Sequence, residues 1–132
     1  MKKIFFVIIV FIIAILIKIP KYDELNNLAI IESVAVIYEN KDFTIYLKEI
    51  IPIKDEQGIN YEYEYYHAKS SSLEKTLQKI KSNTKKKIYL KKSKFLVTNY
   101  ENSDFLKKKL NIKPKSIYHP SSDIYGFLKK LD

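Results

Sequence analysis

Residues Ile4 to Ile17 form an unbroken apolar run of fourteen, preceded by Met1-Lys2-Lys3 and closed by Lys18-Ile19-Pro20. A helix over this run is apolar on every face, and such a helix needs lipid or a large core to cover it. The remaining residues of a 132-residue chain supply only one ordinary domain core. Positive residues followed by a hydrophobic core is also the layout of an export signal. A cleavage site needs small residues just after the core, and Ala14 is followed by Leu16, Ile17 and Ile19. The sequence therefore predicts an uncleaved signal-anchor over residues 1–20, a single transmembrane helix in which Ile4, Phe5, Phe6 and Ile17 contact lipid. The lysines flanking it favour a cytoplasmic N-terminus and an extracytoplasmic body in the cell membrane.

The charge invites a nucleic-acid reading, since the net charge is +9. All 24 basic residues are Lys, however, and the guanidinium that reads phosphates and guanine edges in a bidentate way is absent. Abundant Lys, Ile, Asn and Tyr are what an AT-rich genome over-uses, so nucleic acid is not the expected partner. No cysteine is present, which removes disulfides, thiolate metal sites and thiol nucleophiles. With only His67, His119, Gly58 and Gly126 of their kinds, neither a histidine metal site nor a glycine-rich phosphate loop is expected, and no cofactor.

Beyond the anchor, residues 21–132 read as one α+β domain, a small mixed or mostly antiparallel sheet with helices on one face. Leu28–Tyr38 is rich in β-branched residues, Glu39-Asn-Lys-Asp42 is a turn, and Phe43, Ile45 and Leu47 alternate on one face of a second strand. Pro52 limits the far end of that strand to an edge or bulge. Tyr61, Tyr63 and Tyr65 share one face of a third strand, with Glu62, Glu64 and Tyr66 on the other. Ser71 and Glu74 have capping-box spacing, and Leu73, Leu77 and Ile80 make the apolar stripe of a helix. Phe95–Thr98 reads as a short buried strand. Further helices are expected near Asp104–Leu110, capped by Asn102 or Ser103, and from Ser122-Asp123 to Leu131.

The segment Lys21-Tyr22-Asp23-Glu24-Leu25-Asn26-Asn27-Leu28-Ala29-Ile30 resembles the opening of Ger(x)C-type spore germination proteins, the membrane-anchored C subunit of germinant receptors. His67-Ala68-Lys69-Ser70, the 73–80 helix, Lys87-Ile88-Tyr89 and Phe95-Leu96-Val97 follow in the family's order, so the resemblance covers roughly residues 21–98. It implies a spore-germination-like binding or assembly domain beside a multi-span membrane partner. Lys21 and Tyr22 stand where that family has its lipid-bearing Cys and a Trp, and the family continues into two further domains.

Candidate chemistry is sparse. Asp55-Glu56 sits in a turn, Glu62 and Glu64 share a strand face, and Ser70–Ser72 suit helix capping, so the domain is expected to be non-enzymatic. Tyr61, Tyr63 and Tyr65 form either a core stripe or a surface for a protein or glycan partner. Between Lys75 and Tyr100 stand nine lysines and no acid, of which Lys85, Lys86, Lys87, Lys91, Lys92 and Lys94 are the candidate contacts to anionic lipid or wall polymer.

Overall fold

In the computed structural model, residues 2–18 and 27–131 are described. The central strand is β1 (Leu28–Glu39), built from the β-branched run that the sequence predicts. A two-residue turn at Asn40 and Lys41, both at positive φ (52° and 65°), returns the chain into β2 (Asp42–Asp55). Positive φ at both positions gives the turn the twist of its flanking strands, which is why the hairpin closes in two residues. β3 (Gly58–Ser70) follows antiparallel to β2, with Tyr61, Tyr63 and Tyr65 in line with Pro52, Ile50 and Lys48.

The remaining elements are α2 (Leu73–Asn83), β4 (Lys87–Tyr89), β5 (Phe95–Thr98), α3 (Ser103–Leu110), β6 (Ser116–Tyr118) and α4 (Ile124–Lys130). The strand order is β3-β2-β1-β5-β6, with β4 also pairing β1. β4 and β5 run parallel to β1, and β6 parallel to β5, so the six-stranded sheet is mixed. β4 and β6 are three residues each and carry no periodic signal.

Helices cover both faces rather than one. Val34, Val36, Ile45, Leu47 and Leu96 meet Leu73 and Ile80 of α2 and Leu106 and Leu110 of α3 in the larger core. Ala35 and Val97 meet Ile124 and Leu128 of α4 in a smaller core behind the sheet. Each fully buried Leu or Ile contributes about 1.5–3 kcal/mol, and α2, α3 and α4 each bury two such residues. Ser72 accepts from the Lys75 amide and caps α2, one residue later than the capping-box spacing of Ser71 suggested.

The N-terminal helix α1 (Lys2–Lys18) has 17 residues, and among the described residues no helix is long and apolar enough to cross a membrane. This overturns the transmembrane signal-anchor over residues 1–20 and the single-pass placement in the cell membrane that rested on it. The physical reason is reach: the apolar stretch between Lys3 and Lys18 rises about 21 Å, against a hydrocarbon thickness of about 30 Å. Ile4, Phe5 and Phe6 are exposed. The side chain of Ile17, and Ile19-Pro20, lie outside the described residues.

Candidate functional site

Because β4, β5 and β6 all run with β1, the segments leading into them arrive at one end of the sheet, where β1 itself begins. Those segments carry Lys85-Lys86-Lys87, Lys91-Lys92-Ser93-Lys94 and Lys113-Pro114-Lys115. Backbone bonds pin them in place. The Lys87 amide donates to Asn27 O at 2.7 Å, Lys94 to Glu32 O at 2.7 Å, and Lys115 to Lys94 O at 2.8 Å. Ser93 is buried and its hydroxyl donates to Ile31 O, which anchors the turn that presents Lys91, Lys92 and Lys94.

Of the six lysines singled out from the sequence, Lys85, Lys87, Lys91, Lys92 and Lys94 are exposed at this end. Lys86 is not available in the same way: its Nζ lies 2.9 Å from Glu49 Oε1, in an ion pair whose acid is buried. Lys113 and Lys115, also exposed, join the set. The sequence tract ended before them, and only parallel pairing of β5 with β6 brings them across; no local signal could have found them.

Glu49 anchors a polar cluster beside the end of α2. The Tyr66 hydroxyl donates to Glu49 Oε2 at 2.6 Å, with Glu64 Oε2 3.1 Å away. Desolvation by burial, followed by hydrogen bonding to Glu49 and the negative charge beside it, holds the Tyr66 phenol well above its ordinary range, with Glu64 adding to the effect. Glu49 and Glu64 stand directly opposite each other on β2 and β3, a repulsive cross-strand pair that Lys86 and the Tyr66 hydroxyl offset.

The tyrosine stripe divides. Tyr61 is exposed, whereas Tyr63 and Tyr65 are half-buried. The Lys48 ammonium sits 4.3 Å from the centre of the Tyr63 ring, and Tyr65 meets Tyr125 of α4 edge-on at 5.9 Å. Lys48 is fully buried, donates to Leu128 O at 3.4 Å and to Leu131 O, and so lies at the negative pole of α4. Sequence reading missed this lysine, since nothing local distinguishes it from the solvated ones.

Other groups that could bear chemistry are dispersed. Glu62 and Glu64 are exposed on β3, and His67 stacks on Tyr46 with ring centres 5.5 Å apart. Among the described residues no group of three His, Cys, Asp or Glu could hold a metal ion. At the bulge of β1 the Glu32 Oε2 and Ser33 Oγ atoms are buried without a hydrogen-bond partner. No family model, no curated protein and no solved structure matches this chain.

Proposed function

We propose that this chain is a non-enzymatic binding module that grips an anionic surface or polymer through the lysine-bearing end of its sheet. The observation that carries this reading is the convergence of three lead-in segments, with Lys85, Lys87, Lys91, Lys92, Lys94, Lys113 and Lys115 exposed at one end. The ligand chemistry is repeated phosphate or carboxylate, whether on lipid headgroups or on a wall polymer. Each lysine held near such a surface contributes about 1 kcal/mol, so the cluster acts as a unit although no member is specific. Attraction of this kind is screened beyond roughly 10 Å at 0.1 M salt. The dispersal of carboxylates, the capping role of Ser72 and the stacking of His67 support the non-enzymatic part.

The test is sedimentation of the full chain with vesicles of pure phosphatidylcholine, with vesicles containing phosphatidylglycerol, and with soluble polyphosphate. The apolar surface of α1 contributes equally to both vesicle types. The expected result is a salt-sensitive gain on anionic vesicles or polyphosphate that disappears in Lys91/Lys92/Lys94/Lys113/Lys115→Gln. An identical salt response in that variant defeats the proposal.

A second reading is assembly with a multi-span membrane protein, as the likeness to the germinant-receptor C subunit implies. It is favoured by the order of elements from β1 to β5: hairpin, third strand, α2, the Lys87–Tyr89 stretch and a buried strand. Crosslinking followed by capture should then yield one discrete membrane protein, and capture of the chain alone would remove this reading.

A further inference from the structure

The apolar surface of α1 and the lysine-bearing end of the sheet are joined by a short piece of chain. Residues 2–15 of α1 are all exposed, and from Ile4 to Ile15 they are apolar on every face. An exposed apolar surface of this extent marks a place where another molecule or lipid is met. β1 begins at Leu28, at the end of the sheet where the lysines gather, and Asn27 O accepts from the Lys87 amide at 2.7 Å. Lys18, the last residue of α1, stands nine residues before Asn27 in the chain, a separation of at most about 32 Å. The apolar helix therefore cannot enter a surface without bringing the lysine-bearing end to within that distance of it.

Charge selects the surface. Lys2 and Lys3 precede the apolar run and are exposed, and the lead-in segments 84–94 and 111–115 contain no acid. β2 continues for six residues beyond Glu49, where its pairing with β1 stops, so the hairpin tip with Asp55 and Glu56 projects from the same end. The seven exposed lysines there outnumber those two acids. A soluble polyanion matches the lysines and leaves α1 uncovered, whereas a second copy covers α1 and sets like charges together. An anionic bilayer answers both features, and an apolar segment combined with a basic patch is the pair of signals that makes reversible attachment stable. The apolar rise of α1 is about 21 Å against a hydrocarbon thickness of about 30 Å, so its two ends, one bearing Lys2 and Lys3 and the other tied to the sheet, stay at one surface. Resting on the anion-binding reading above, we propose that α1 lies within one leaflet of an anionic bilayer without crossing it, and that the lysine-bearing end of the sheet seats on headgroups of that same leaflet, with β1 leading away from the bilayer.

The unmodified full chain should sediment with phosphatidylcholine vesicles through α1 alone. At low salt it should bind vesicles containing phosphatidylglycerol at least roughly tenfold more tightly, which two seated lysines suffice to give. Absence from phosphatidylcholine vesicles overturns the proposal, since α1 is then covered by another copy. Because the chain has no cysteine, single probes report the seating. A fluorophore on Lys92→Cys stands at the lysine-bearing end, and one on Glu39→Cys at the far end of β1, about 36 Å away at 3.3 Å per residue. Energy transfer to a headgroup-labelled lipid on the anionic vesicles should be stronger from position 92 than from position 39. The difference should shrink in about 1 M salt, where charges act over only about 3 Å. Equal or reversed transfer at low salt, or a difference that salt leaves unchanged, overturns the proposal. Lysine-dependent binding to polyphosphate can survive that result, so this proposal and the reading it rests on fail separately. Lys3→Cys, added to preformed vesicles, should stay reactive to a membrane-impermeant maleimide, and protection of that thiol overturns the one-leaflet placement.

Discussion

Lys86 and Glu49 form an ion pair of 2.9 Å in which the acid is 2% exposed and the base 37%. The carboxylate is thus inside and the ammonium at the rim, so the two partners are not equivalent. Removing the lysine leaves Glu49 with Tyr66 as its remaining side-chain donor among the described residues. Lys86→Met is expected to cost about 2 kcal/mol, the scale of a hydrogen bond to a charged group. Adding Glu49→Gln should recover part of that loss. Urea unfolding of the two variants checks both; an unchanged midpoint for Lys86→Met contradicts the expectation.

The raised Tyr66 phenol links this cluster to pH. An ordinary tyrosine, as in the unfolded chain, ionises near pH 10, while folded Tyr66 holds its proton to higher pH. Its contribution to stability is therefore complete below about pH 10 and is lost as pH rises through the folded value. The stability difference between the native chain and Tyr66→Phe should be constant from neutral pH to about 10 and shrink above it. Chemical unfolding at a series of alkaline pH values measures this, and a difference that grows with pH would reverse the assigned direction.

Lys48 ties the C-terminal helix to the sheet. Its ammonium satisfies carbonyls at the end of α4 and lies over Tyr63, although the core under α4 has only four fully or nearly buried apolar residues. Lys48→Met keeps the volume and leaves those carbonyls without that donor, with an expected loss of about 1–2 kcal/mol. The loss should be local. Amide exchange should accelerate in residues 124–131 and not in β1 or β2, and uniform acceleration would contradict it.

Ser33 tests the opposite case. Its hydroxyl is fully buried and unpaired at the bulge of β1, so the fold already carries the cost of desolvating it. Ser33→Ala should be neutral or stabilising by up to about 1 kcal/mol. Thermal unfolding decides this, and a lowered midpoint would mean that the hydroxyl has a partner.

The element pattern on the hydrophobic side was readable because it is local. β1, the β2–β3 pair, α2, α3 and α4 each have a periodic apolar stripe, and Asn102 and Asp123 cap the last two helices as their residue types suggest. β4 and β6 were not readable: three residues are too few for a period, and their existence depends on β1 and β5 as templates. The same dependence hid the site. Lys91, Lys92 and Lys94 were visible as a run, whereas Lys113 and Lys115 join them only through parallel pairing. Lys86 leaves the set because β2 holds a buried acid within its reach.

By itself, then, the sequence determined the chemistry available to this protein: lysine as its only strong cation, no thiol, a strand of alternating Tyr and Glu, and one apolar helix at the start. Those are matters of residue type and short-range period. Tertiary structure decided which lysines lie together at one end of the sheet and which one is buried beneath α4. Such outcomes depend on contacts between residues far apart in the chain, which leave no local trace in the sequence.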